Sequence, residues 1–376
     1  MIADIDIASI ITGLQAGSVW GYRMVFVMLV LAVPLFFVQD AAGRLGIASG
    51  MGLGEAIHKF FGRRTAVMAA LPMGVSDFLE YVAEYAGIAV GLYLLRLPIL
   101  MGLLVAYLVH TSIVIGGKYR QAELVLLPLS FLVLAGIVLS TSVFHFELND
   151  VFYIGLSPFQ PYGNPSFDYL LAASIGAVVM PWMLYFHSGA DSRKGKMHGA
   201  MRAERIETLI GAVVSEVLMV VIVLDGMHLS SVGSFVSVPE LSKALSIFGE
   251  NASLLMGIGF IAAGFLALVV ISLGSAWGVL EALNKRSRKS FLTVYAIESL
   301  PAVLLVLVST SYVNLVLDLM VIFTIVILPS LYFLGRLVTR DDVMRGNGYS
   351  RTWSIAFWIM SAFIVVGGLV GLASLL

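Results

Sequence analysis

Apolar runs of about 20 residues recur from one end of the sequence to the other, each closed by charged or turn residues, and no other feature constrains the fold as much. A run of that length crosses the ~30 Å hydrocarbon core as a helix, and in lipid only helices and closed barrels satisfy every backbone polar group. With 60% hydrophobic residues, 12% charged residues and a mean hydropathy of +0.99, the chain holds roughly half the charge of a soluble domain. The expectation is an all-α polytopic membrane protein, which excludes a secreted, nucleic-acid-binding or soluble catalytic domain. The absence of cysteine removes disulfides, thiolate metal sites and cysteine nucleophiles. The opening Met-Ile-Ala-Asp-Ile-Asp has no basic stretch before an apolar one, so no cleavable signal peptide is expected.

The runs predict eleven helices, at 2–17, 20–43, 66–94, 97–117, 121–146, 168–190, 206–228, 253–283, 291–310, 314–338 and 352–376. Charge sets their direction. If the N-terminus is cytoplasmic, the connections after even-numbered helices hold 19 of the 22 basic residues, and only Arg23, Arg96 and Lys243 fall outside. The positive-inside rule therefore places a multi-pass protein in the cell membrane with its N-terminus inside. Topology alone accounts for these basic loops, so no nucleic-acid partner is expected; the lipid bilayer is the expected surrounding, and no obligatory protein partner is evident.

An ionisable group at membrane depth costs on the order of 3 kcal/mol, so each needs a reason. Asp4 and Asp6 precede Ile7-Ala8-Ser9, a small and polar stretch suited to a helix break. Asp77, Glu80 and Glu84 at i, i+3 and i+7 stack on one helix face. Pro181 follows Ala177-Val178-Val179-Met180 in mid-span, where it removes a backbone hydrogen bond and frees the carbonyl one turn earlier. His187 lies on the same face as Met180, two turns on. Interrupted helices opening each half of a ten-helix pattern indicate an inverted-repeat transporter with its site at the midplane. The expected repeats are 1–147 and 168–338 within one transmembrane domain, with an extra helix at 352–376. A carboxylate at Asp6, a hydroxyl at Ser9, a carbonyl at Ala177 and the thioether of Met180 make a mixed hard and soft donor set, which suits Mn²⁺, Fe²⁺ and softer divalents better than Mg²⁺ or Ca²⁺.

At these residues the chain resembles the Nramp family of proton-coupled divalent metal transporters. The family's first-helix Asp-Pro-Gly-Asn is matched by Asp6-Ile7-Ala8-Ser9, followed by Gln15-Ala16-Gly17-Ser18-Val19-Trp20-Gly21-Tyr22. Its sixth-helix motif is matched by Met180-Pro181-Trp182-Met183-Leu184-Tyr185-Phe186-His187-Ser188, and Leu45–Gly50, Ala83-Glu84, Arg205–Thr208 and Asp342-Val343-Met344 are similar to further family segments. The resemblance implies a LeuT-like 5+5 inverted repeat with discontinuous helices 1 and 6, metal ligation by Asp6, Ser9, Ala177 and Met180, and symport with protons along Asp77, Glu80, Glu84 and His187. The metal is cargo and no cofactor is expected. Ser9 replaces the family's asparagine, Tyr81 its acid one turn before Glu84, and Trp182 its first histidine. The family has a half-helix before the aspartate motif, while five residues precede Asp6 here; the reading is a late-assigned start or a shortened, divergent relative.

Alternatives are a Mg²⁺-preferring or uncoupled relative, and an organic-solute transporter of the same architecture. The sequence holds no metal-ligand pair at catalytic spacing such as H-E-x-x-H, so an enzyme is not expected. Glu216, Glu298 and Asp318 lie in or near predicted spans without an assigned role.

Overall fold

The structure, a computed structural model, describes residues 6–117, 124, 128, 147–192, 200–229, 239, 240, 243, 252–285, 287–309 and 311–374. Nearly all of this is helix: α1 Ile7–Trp20, α2 Arg23–Ser49, α3 Leu53–Phe61, α4 Arg63–Leu94, α5 Ile99–Gly116, α6 Pro165–Val178, α7 Pro181–Ser192, α8 Ala200–Met227, α9 Ala252–Ala282, α10 Arg288–Val308, α11 Tyr312–Val326, α12 Leu328–Leu337, α13 Asp341–Met344 and α14 Arg351–Ala373. Among the described residues nine spans are long and apolar enough to cross a membrane, with α6–α7 and α11–α12 each counted once; α1 is apolar but shorter. Apart from residues 124 and 128, the expected helix at 121–146 lies outside the described residues, as do Asp4, Lys118, Arg120, Arg193, Lys194, Lys196 and Arg286.

Local chemistry sets the helix ends. Asn164 accepts the Ser166 N–H at 3.1 Å while Pro165 occupies the first helical turn of α6, where its missing N–H costs nothing. Ser287 and Ser350 cap α10 and α14 in the same way. Beyond shifts of several residues at helix ends, two elements differ from the sequence reading. The amphipathic α3 falls between the predicted second and third helices, because a nine-residue helix is too short to register as a span. The predicted helix at 314–338 divides at Ile327, next to Pro329.

In lipid the hydrophobic effect does not draw helices together, so close backbone approach and polar contacts must. Large apolar side chains such as Met68, Leu100, Met101, Leu108, Val308 and Ile359 accordingly point outward. Inside, α4 packs chiefly on α9, α2 lies along α7 and α8, and α1 lies along α8. At Gly17 a Cβ would stand 1.9 Å from the Val223 carbonyl oxygen, so α1 and α8 touch backbone to backbone. At Gly87 a Cβ would stand 2.1 Å from Ile7 Cγ2. The first residue of α1 is thus bedded into α4, and Asp6 is brought against the acidic face of that helix.

Candidate metal site at the helix breaks

Asp6 is the N-cap of α1: its Oδ1 accepts the Ser9 N–H at 2.7 Å and its carbonyl accepts the Ile10 N–H at 3.1 Å. Cap residues take this role because the first helical N–H groups lack intrahelical partners. A helix break lies between α6 and α7. Val179 makes the last backbone bond of α6, to Ile175, and Met180 is non-helical and fully buried. Since Pro181 has no N–H, the Ala177 carbonyl loses its helical donor. Ser9 Oγ donates to that carbonyl at 3.2 Å, so a hydrogen bond joins the start of α1 to the α6–α7 break. Pro34, Pro72 and Pro301 lie inside α2, α4 and α10, and those helices run through them.

The acidic stripe of α4 completes the site in a way that spacing alone did not predict. Asp77, Glu80 and Glu84 are all fully buried. Asp6, Glu80 and Glu84 each place a carboxylate oxygen within 4.8 Å of the others. Among the described residues the polar neighbours of the α4 acids are few: Ser275 beside Asp77, Asp6 and Trp182 beside Glu80, and the Ala8 backbone beside Glu84. Two unit charges at that separation repel by about 3 kcal/mol at an effective dielectric near 20, so three carboxylates there call for a bound cation or for protons. Asp77, one turn before Glu80, is within electrostatic reach of Glu298 on α10. Glu298 in turn accepts a hydrogen bond from Ser275 Oγ, and Asp318 accepts one from Tyr169 at 2.8 Å, which gives these two unassigned acids defined partners.

Tyr81, which stands where the family has an acid, and the expected site residue His187 fall elsewhere. Tyr81 donates to Ser272 Oγ at 3.0 Å, within a buried network in which His110 meets Ser272 Oγ at 2.8 Å and Tyr85 OH at 2.9 Å. His110 was not foreseen, because a lone histidine in an apolar run carries no spacing signal. His187 has its partners on α2 and α8: Nδ1 is 2.7 Å from Gln39 Oε1, and Nε2 is 2.6 Å from Glu204 Oε1 and 3.3 Å from Asp191 Oδ2.

The start of α1 and the α6–α7 break, joined at a buried, carboxylate-lined point within a helical bundle, define a polytopic membrane protein of LeuT-like architecture. Along residues 1–374 the chain matches the model of a family described as natural resistance-associated macrophage protein-like, and it belongs to the Nramp family. It is 30% identical over 282 residues to the divalent metal cation transporter MntH of Bacillus subtilis, covering 70% of this chain and 64% of that protein. With MntH of Staphylococcus aureus it shares 30% identity over 196 residues, 50% of this chain and 43% of that one. The match therefore spans less than two thirds of these curated relatives. A variant of the manganese transporter of Eremococcus coleocola superposes with a TM-score of 0.86 at 19% identity, over 99% of this chain and 84% of its own. MhsT, in complex with L-phenylalanine, superposes at 0.62 with 12% identity over 98% of both chains. At these identities the structural likenesses show the fold alone.

Proposed function

We propose that this protein is a secondary transporter of divalent transition-metal ions of the Mn²⁺ and Fe²⁺ type, working by alternating access across the cell membrane with its N-terminus in the cytoplasm. The observation that carries this reading is the carboxylate trio of Asp6, Glu80 and Glu84 beside the start of α1 and the α6–α7 break. A divalent cation neutralises such a trio, whereas an amino-acid carboxylate brought to the same place would add to the repulsion. The names of the curated relatives support the same cargo. In this reading Asp6, Ser9, the Ala177 carbonyl and Met180 hold the ion. Ser9 Oγ must turn from the Ala177 carbonyl to free that oxygen for it, so the bond between the start of α1 and the α6–α7 break opens as the ion enters.

Protons are the proposed counterpart. A divalent ion reaching Asp6 favours ionised neighbours, which drives a proton held on Glu80 or Glu84 along the stripe toward Asp77. A Mg²⁺-preferring relative is the second reading, and the all-oxygen character of the trio favours it; the buried Met180 thioether argues against it.

The test is Mn²⁺ binding by calorimetry and Mn²⁺ uptake into proteoliposomes. The parent is expected to bind and transport Mn²⁺ in preference to Mg²⁺ and amino acids. Asp6→Asn, folded by size-exclusion profile, is expected to lose both activities, because it removes the carboxylate that caps α1 toward the ion. Equal Mn²⁺ binding by Asp6→Asn would show the site to be wrongly placed.

A further inference from the structure

Two turns along α7 from Met180, on the cytoplasmic side in the proposed orientation, a second set of metal-ready donors converges from two helices. His187 and Asp191 come from α7 and Glu204 from the first turns of α8, and one ligand atom of each lies within 4.8 Å of the others. Asp191 and Glu204 are buried, and the His187 side chain is 15% exposed.

The histidine is held as a ligand would be. Gln39 Nε2 donates to Met183 Sδ at 3.5 Å, which turns Gln39 Oε1 toward the ring, where it accepts from His187 Nδ1–H at 2.7 Å. Nε2 holds a proton against the carboxylate oxygens of Glu204 and Asp191, 2.6 and 3.3 Å away, and a divalent ion would take that proton's place while Nδ1–H stays on Gln39. Metal-binding histidines are oriented through the other ring nitrogen in this manner. Thr208 Oγ1 donates to Glu204 Oε1 at 3.3 Å and helps fix that carboxylate.

Space is kept for the donors as well. At Gly43 on α2 a Cβ would stand 2.9 Å from both His187 Nε2 and Asp191 Oδ2 and 3.1 Å from Glu204 Cγ. Any other residue at 43 would press into the point where the three ligands meet. Arg44 and Arg205, on the same helices as Gln39 and Glu204, are paired with Asp40.

We propose that His187, Asp191 and Glu204 form a second metal site, specific for a divalent transition ion of the Mn²⁺, Fe²⁺ or Zn²⁺ class. One imidazole nitrogen and two carboxylates suit these ions and leave coordination positions for water. Around one ion with bonds of about 2.1 Å, neighbouring donors stand about 3 Å apart, so the 2.6 Å contact opens by a few tenths of an ångström on binding. The site rests on residues separate from Asp6, Ser9, Ala177 and Met180, and it holds whether or not those carry the cargo.

Nitrogen distinguishes the two sites, since Asp6, Ser9, Ala177, Met180, Glu80 and Glu84 offer oxygen and sulfur only. The experiment is electron spin echo envelope modulation of Mn²⁺ bound to the purified full-length protein, with Mn²⁺ itself as the probe. The parent is expected to show the ¹⁴N modulation of a coordinated imidazole, and Asp6→Asn to retain it. His187→Ala is expected to lose it. Gly43→Ala, which keeps all three ligands, is expected to weaken Mn²⁺ affinity at this site at least tenfold, and Gln39→Leu about tenfold through the loss of ring orientation. No ¹⁴N modulation in the parent at saturating Mn²⁺ would overturn the proposal and leave the cluster as a proton-charged ion pair. Modulation persisting in His187→Ala would overturn it equally, by placing the nitrogen on another histidine.

Discussion

Sulfur beside oxygen donors discriminates between divalent ions, because Mg²⁺ and Ca²⁺ gain nothing from a thioether while Mn²⁺ and Cd²⁺ do. Met180 is fully buried in the two-residue break between α6 and α7. Met180→Ala is therefore expected to lower the ratio of Mn²⁺ to Ca²⁺ affinity by roughly tenfold, about 1.4 kcal/mol, with little loss of Ca²⁺ binding. Calorimetry with both ions checks this, and an unchanged ratio would make Met180 a packing residue. On α4, Glu84 lies nearest in sequence to the Gly87 step where Ile7 is seated, and it belongs to the Asp6 cluster. Glu84→Gln should keep measurable Mn²⁺ uptake but abolish the acidification that accompanies it in proteoliposomes. Uptake by the parent with no acidification at all would instead mark an uncoupled uniporter.

At the scale of elements, the break before α7 follows from one missing N–H. Pro181→Ala restores a donor for the Ala177 carbonyl and relieves a helix penalty of about 3 kcal/mol, so α6 and α7 should fuse. The expected outcome is a protein at least as stable to heating that no longer binds Mn²⁺, read by a thermal shift assay beside calorimetry; undiminished Mn²⁺ affinity would show that the carbonyl is not a ligand. This break, and Asp6 as its opposite number, could be read from sequence because proline chemistry and an unexplained charge are local signals. That Glu80 and Glu84 meet Asp6 could not, since i, i+3 and i+7 spacing defines a face of α4 and says nothing of what faces it. The seating of Ile7 against Gly87, a contact between distant segments, decides that. Glu204 was hidden for a related reason: it sits between Arg202 and Arg205, where the sequence reads as a charged loop, while α8 in fact begins at Ala200. His110 had no partner within reach in sequence and gains Tyr85 and Ser272 only through packing.

At the scale of the whole molecule, one end of the helical bundle is fastened around Asp40. Its carboxylate pairs with Arg44 at 3.5 Å and Arg205 at 3.7 Å and accepts from Tyr349 OH at 2.6 Å. Arg205 also lies over the Trp353 ring at 3.9 Å. Burial, and then the negative charge of Asp40, push the Tyr349 phenol well above its ordinary range, so it remains a donor at any working pH and ties the start of α14 to α2 and α8. This places the connection before α14 on the same side of the molecule as the ends of α2 and α7. The basic residues of the connections agree, and with them the direction of every helix becomes testable. The natural sequence has no cysteine, so single introduced cysteines report without background. Lys285→Cys, in the exposed turn between α9 and α10, should react with a membrane-impermeant maleimide only after the membrane is opened. Leu97→Cys, between α4 and α5, and Phe159→Cys, 87% exposed before α6, should both react in intact cells. Both external labels are needed, because residues 97 and 159 share a side only if the chain crosses the membrane once more after α5, as the apolar run at 121–146 requires. Labelling of Leu97→Cys with protection of Phe159→Cys would remove that crossing and with it the inverted relation of the two halves.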